Sequence, residues 1–195
     1  MIRSKYGIPV ASPGAILREE SLAGTELGIA AEALTRHGKL VPDSMVLQVV
    51  EHWLEKIDDG FVLDGVPRTL GQATDLESLL KKRSTPLEVV IALDADLPTL
   101  QKRVINRLIC QSCGQSFSVG LHVVSSQSVC PNCGGKLGRR GDDTLETLEF
   151  RMREYLEKTA PLIGFYENRG LLHRIDSQET PESVFGAVVK ILEAE

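Results

Sequence analysis

No stretch of the 195-residue sequence approaches the roughly 18–20 uninterrupted apolar residues of a membrane-spanning helix, so a membrane protein is not expected. There is no excess of basic charge either. Lys and Arg number 22 against 27 Asp and Glu, a net charge of −5. That balance argues against a protein that coats nucleic acid, though it leaves room for a local anion pocket. No basic-then-apolar segment opens the sequence, and the expected setting is cytoplasmic. The chain is nonetheless 42% hydrophobic and 25% charged, enough apolar residues for a core and too many for disorder. One core carrying an inserted module is the expectation for this length.

Cysteine is scarce but not scattered. Cys110, Cys113, Cys130 and Cys133 form two Cys-x-x-Cys pairs separated by 16 residues, with glycine at Gly114 and at Gly134-Gly135. This is the spacing of a zinc ribbon, in which four thiolates hold a tetrahedral ion. Four sulfurs leave no open position, so such a zinc is structural. Two disulfides, four free thiols or a redox Cys-x-x-Cys are the alternatives, and disulfides suit secreted chains. His37, His52, His122 and His173 are dispersed and suit solvated or hydrogen-bonded roles.

The remaining pattern alternates helices with short apolar runs. Arg3 to Tyr6 reads as the basic last turn of a helix stopped by Gly7, with a strand at Ile8–Ala11. Helical faces run from Glu26 to His37 and from an N-cap at Asp43 to Ile57. Further helices are expected over Leu70–Lys82, Leu97–Ile109, the stretch after Asp142-Asp143, which Pro161 should kink or break, and the segment after Thr180-Pro181. Phe61–Asp64, Val89–Leu93 and Leu171–Ile175 read as buried strands. Strands alternating with helices imply a parallel sheet covered on both faces, with ligands at the carboxyl ends of the strands. Asp64-Gly65-Val66-Pro67-Arg68-Thr69 leaves such an end. A carboxylate there can hold a metal or its water, and arginine offers a planar fork to phosphate. A plain turn with a surface arginine is the alternative.

These segments resemble the adenylate kinases. Asp64-Gly65-Val66-Pro67-Arg68-Thr69 with Gln72 is similar to the family's Asp-Gly-Phe-Pro-Arg-Thr…Gln signature, with Val66 for Phe. Lys5-Tyr6-Gly7-Ile8-Pro9, Gly24-Thr25-Glu26-Leu27-Gly28, Gly38-Lys39-Leu40-Val41-Pro42-Asp43, Arg140-Gly141-Asp142-Asp143 with Glu146, Thr147 and Arg151, and Thr159-Ala160-Pro161-Leu162-Ile163 with Tyr166 follow collinearly. The resemblance implies a P-loop nucleoside-monophosphate-kinase-like α/β fold: a parallel sheet with helices on both faces and a zinc-ribbon lid insertion. Residues 1–11, 42–109 and 139–195 would form the core, 12–41 the helical monophosphate-binding region and 110–138 the lid.

It also implies the reaction MgATP + AMP to two ADP, by a monomer. Arg18, Lys39, Leu40, Val41, Gly65, Val66, Pro67, Arg68 and Gln72 would hold AMP, Gln72 reading adenine, with Arg140 and Arg151 on its phosphate. Arg103, Arg107, Ser116, Phe117 and Gln178 would lie by ATP. The catalytic group would be Arg68, Arg103, Arg140 and Arg151, since phosphoryl transfer needs alignment and charge stabilisation rather than a tuned acid or base. Arg103 and Arg107, four apart on an expected helix, would face one pocket. Asp64 would orient the Mg²⁺ shell, Asp142 and Asp143 would engage the lid and its arginines, and zinc would stiffen the lid.

One family feature is missing. The phosphate-loop pattern Gly-x-x-x-x-Gly-Lys-[Ser/Thr] occurs nowhere in the sequence. The resemblance implies that the strand carrying it is central, lying between those ending at Asp64 and Leu93, so its loss would leave two unpaired sheet edges. Pro13 and Ala15 also stand where the family has a hydroxyl and a carboxylate. Three expectations stay open: a kinase whose protein begins upstream of Met1, a catalytically impaired nucleotide-binding relative, or a zinc-ribbon interaction protein. The last is disfavoured by a ribbon with few basic residues and only Phe117 as an aromatic.

Overall fold

The computed structural model describes residues 1–35, 41–58, 60–120, 122–123, 129–139, 141 and 143–194. Lys39, Leu40, Arg140 and Asp142, all expected at the site, lie outside the described residues.

The chain opens with α1 (Ile2–Tyr6), closed by Gly7 at φ +72°, a left-handed conformation that glycine adopts without strain. Lys5 Nζ and the Tyr6 hydroxyl both donate to Glu193 Oε1, at 2.8 and 3.0 Å, which ties the start of the chain to its end. Next comes β1 (Val10–Ala11), which pairs in parallel with β2 (Val62–Leu63), Val10 opposite Val62. Between these strands lie α2 (Pro13–Leu22), α3 (Glu26–Thr35) and α4 (Asp43–Leu54). The buried face of α4 (Val46, Val49, Val50 and Leu54) packs with Leu17 of α2 and Ala31 of α3.

The helix α5 (Leu70–Lys82) has the bounds its sequence predicts. Thr69 caps it by accepting from the Gln72 N–H. Leu76 and Leu80 face the α4 cluster, while Ala73 enters a second one with Leu162 and Tyr166. Thus α5 joins two cores. The second core covers β3 (Val90–Asp94), which pairs in parallel with β7 (Leu172–Asp176), Val90 opposite Leu172. The four parallel strands form two separate pairs, and among the described residues no strand joins β2 to β3. Leu93 of β3 is 57% exposed, unusual for a parallel strand, which normally has both faces covered.

Two local expectations are corrected. First, α6 (Leu97–Asn106) stops before Arg107, where the chain becomes β4 (Arg107–Cys110). β4 is the centre of an antiparallel sheet with β5 (Ser116–Ser118) and β6 (Leu137–Gly138). Leu108 and Cys110, alternate residues, enter the small core of that sheet, so the two-residue period prevails over the helical stripe. Arg103 and Arg107 are therefore not one helical turn apart. Second, Pro42 and not Asp43 occupies the cap position of α4, and the Asp43 carboxylate turns elsewhere. The helix that follows Asp143 is interrupted ahead of Pro161, as its sequence predicts. α7 (Leu145–Glu154) passes through a π turn over Tyr155–Thr159 into α8 (Pro161–Glu167), with the Ala160 N–H reaching back to Tyr155 O at 2.8 Å. The wider turn sets Pro161 at the first position of α8, where a missing N–H costs nothing. The last helix, α9 (Pro181–Leu192), starts at the expected Thr180 cap.

Candidate functional site

The loop from β2 to α5 builds the centre of the site. Gly65 has φ +77°, a conformation that favours glycine, and a Cβ there would crowd the folded-back arginine at 3.0 Å from Arg68 Nη2. Arg68 Nε donates to Gly65 O at 2.8 Å. From the π turn, the Thr159 hydroxyl donates to Arg68 O at 2.8 Å and braces the loop from the far side. Arg68 keeps exposed surface yet is crowded by protein atoms. Desolvation is the main cause that lowers its pKa, the Arg151 charge is the second, and the Asp64 carboxylate opposes both. Two guanidinium groups that repel each other beside a strand's carboxyl end form a place where an anion is favoured. Asp64 is exposed at the same end of β2, able to face a hydrated cation.

Behind this loop lies a buried polar knot. Gln72 is only 2% exposed. Its Oε1 accepts from the Arg68 N–H at 2.7 Å, and its Nε2 donates to Asp43 Oδ1 at 2.7 Å. Asp43 Oδ2 accepts from the Thr69 hydroxyl at 2.6 Å. The sequence reading missed Asp43 as a partner of Gln72. The Thr69-x-x-Gln72 capping-box pattern was the available signal that the Gln72 side chain turns back toward the backbone. Of the other residues expected around AMP, Val41 and Val66 are buried in the α4 core, Pro67 is half-buried, and Arg18 is exposed on α2.

The residues expected around ATP are dispersed over three elements. Arg103 donates to the Ser177 carbonyl, while the Ser177 hydroxyl donates to Asp94 O at 2.8 Å. Nearby, the Thr99 hydroxyl lies 3.4 Å from Gln178 Oε1. Arg107 grips Asp143, with Nε to Oδ2 at 2.8 Å and Nη2 to Oδ1. Phe117 is buried in the antiparallel module with Leu108 and Leu137, and Ser116 beside it is exposed.

The four cysteines converge in that module. Their sulfurs all lie within 4.8 Å of one another, Cys110 to Cys133 at 3.4 Å and Cys113 to Cys130 at 3.7 Å. A tetrahedral zinc thiolate site has sulfurs about 3.8 Å apart, so the donor set fits. None of the four is disulfide-bonded to another in this structure. The Cys113 N–H, aided by that of Ser112, stabilises the Cys110 thiolate and holds its pKa down to about 6. Cys133 is pushed up to about 12: the Gly135 N–H works against the shift, but hydrogen bonds with the other three sulfurs outweigh it. One charge in the knot suppresses the next, and a dication removes that conflict.

The sequence model of the adenylate kinase family matches residues 1–171. The chain belongs to the adenylate kinase family. Its relatives in that family include the adenylate kinase of Thermodesulfovibrio yellowstonii, 39% identical over 191 residues that make up 97% of this chain and 89% of the relative. The adenylate kinase of Magnetococcus marinus is 37% identical over 98% of this chain and 91% of its own. That of Archaeoglobus fulgidus is 38% identical over 98% and 89%. Membership of the adenylate kinase family makes the chain a nucleoside-monophosphate kinase type of phosphotransferase. Among the described residues, no helix is long and apolar enough to cross a membrane.

Proposed function

We propose that the chain binds AMP in the crevice at the carboxyl end of β2 and takes part in the transfer of a phosphoryl group between ATP and AMP. The observation that carries this reading is the fold of the Arg68 loop: the guanidinium turns back on Gly65 O at 2.8 Å at the carboxyl end of β2, where the Arg151 charge adds a repulsion felt at Arg68. A phosphate seated there would relieve that repulsion and meet the planar fork of Arg68. Arg18 and Arg140 complete the anion cradle in this reading, and Lys39, Leu40, Val41, Gly65, Val66 and Pro67 line the nucleotide. Gln72 meets the adenine edge.

On the other substrate, Arg103 and Arg107 would leave their present carbonyl and carboxylate partners and turn to the phosphates of ATP, with Ser116, Phe117 and Gln178 toward its base. Asp64 would hold the hydrated Mg²⁺ that accompanies ATP, whose charge would offset that of the phosphates. No proton needs to be stored on a tuned side chain. The arginines align donor and acceptor oxygens and stabilise the equatorial charge, and the lid, hinged at Asp142 and Asp143 and stiffened by zinc, excludes water. In this reading the protein works as a cytoplasmic monomer with residues 110–138 as its lid.

The sequence holds no Gly-x-x-x-x-Gly-Lys-[Ser/Thr] to cradle the ATP phosphates, so the 195 residues by themselves should bind AMP better than they turn it over. The test has two arms. Calorimetry should detect AMP binding, weakened at least about tenfold by Arg68→Ala. A coupled assay of ADP formation should give turnover more than about a hundredfold below that of a complete adenylate kinase. Unchanged AMP affinity in Arg68→Ala sinks the site, and near-complete turnover sinks the claim of an incomplete ATP cradle.

A further inference from the structure

We propose that Asp43 sets the purine preference of the monophosphate site by locking the polarity of the Gln72 amide. The inference rests on the reading of Gln72 as the group that meets the base. A side-chain amide offers an acceptor and a donor side by side. Adenine presents a donor at its 6-position and an acceptor at N1. Hypoxanthine presents the reverse, an acceptor at the 6-position and a donor at N1. An amide free to turn over matches either base.

The Gln72 amide is not free to turn over. Its oxygen faces the Arg68 N–H and its nitrogen faces the Asp43 carboxylate, each at 2.7 Å. Turned over, it would set oxygen against a carboxylate and N–H against N–H, losing one charge-assisted and one ordinary hydrogen bond. At 2% exposure, little water is at hand to repair the loss. The bonds above use one hydrogen and one lone pair, so the amide keeps one of each for a base. A base reaches them by displacing what covers the amide, and both fixed partners stay with the protein.

Asp43 is itself held. Thr69 donates its hydroxyl proton to Oδ2 while its oxygen accepts from the Gln72 N–H at 3.1 Å. Gly71 makes room for the carboxylate, since a Cβ at that position would lie 3.1 Å from Oδ2. Asp43 is therefore a positioning residue, 29 positions from the amide it orients.

The experiment titrates AMP and IMP by calorimetry into the full 195-residue chain and its Asp43→Ala, Asp43→Asn and Gln72→Ala variants, with thermal melts to show that each is folded. The unaltered chain should prefer AMP. Asp43→Ala should cut the AMP-to-IMP affinity ratio about tenfold, the worth of one charge-assisted hydrogen bond. Asp43→Asn retains one acceptor oxygen and guards against a folding defect, and its ratio should fall about threefold. Equal weakening of both nucleotides, or an unchanged ratio in a folded variant, overturns the proposal and leaves Asp43 as a structural strut. Failure of the base-contact reading looks different: the unaltered chain binds no AMP, or Gln72→Ala binds it unchanged, and the proposal falls with that reading.

Discussion

The Arg107 guanidinium closes on the Asp143 carboxylate with both ends of its fork, Nε to Oδ2 at 2.8 Å and Nη2 to Oδ1. The pair joins the first residue of β4 to the segment just before α7, one on each side of the cysteine module. The Asp143 side chain is fully buried and that of Arg107 is 31% exposed. Removing the arginine strands a buried anion, which is worse than never having built the pair. Arg107→Ala should destabilise the chain by about 3 kcal/mol, read as a shift in the denaturant midpoint. Arg107→Lys should recover only part of it, since an ammonium cannot make the two-pronged contact. Full recovery by lysine would show that charge alone matters there.

The cysteine knot predicts one tightly held zinc per chain. Among the described residues its core is small: Leu108, Cys110, Phe117, Val123, Cys130 and Leu137 are the buried members. A module of that size depends on its metal for much of its stability. Cys133→Ser or chelation should reduce hydrogen-exchange protection at Leu108–Cys110 at least about a hundredfold, while Val50 and Leu54 stay protected in their separate core. Metal analysis well below one equivalent, or loss of protection in both cores together, would contradict this.

Gly28 marks where α2 and α3 meet backbone to backbone. A Cβ at Gly28 would fall 2.1 Å from Ser21 N and 2.2 Å from the Glu20 carbonyl carbon. No rotamer change relieves a clash with main chain, so the helices must move apart. Gly28→Ala should cost about 1–3 kcal/mol and also weaken AMP binding through Arg18 on α2. A variant as stable as the parent would mean that the helices separate freely.

Regular elements were readable where chemistry is local. Thr180 announces α9 because a cap needs only a side chain and the N–H three residues on, and Thr69 caps α5 in the same way. The cysteine cluster was readable because both knuckles carry their own spacing. Misreadings arose where a distant partner decided. Leu108 continues the stripe of α6 in sequence, yet pairing with Phe117 makes it part of a strand. Asp43 suits a cap, yet Thr69 and Gln72 claim its carboxylate. The ion pair that occupies Arg107 spans 36 positions, beyond any periodic pattern. The sequence holds no phosphate-loop pattern, and among the described residues no strand joins the β1–β2 pair to the β3–β7 pair.

Tyr166 gives the fold an alkaline limit. Its ring is 2% exposed between Ala73 and Leu162, and its hydroxyl finds no hydrogen-bond partner among the described residues. Burial, with a smaller contribution from the Glu77 charge, pushes its pKa up to about 12. An unfolded tyrosine loses its proton near about 10. The folded state therefore holds a proton that the unfolded state has released, and stability must fall as pH rises from about 10 toward 12. Tyr166→Phe removes both the titration and the unpaired hydroxyl. It should leave stability at neutral pH unchanged or slightly higher, because a buried donor without a partner is a cost. Denaturant midpoints at neutral pH and across the alkaline window should converge for the phenylalanine variant and diverge for the parent. Equal alkaline losses in both chains would place the sensitivity elsewhere.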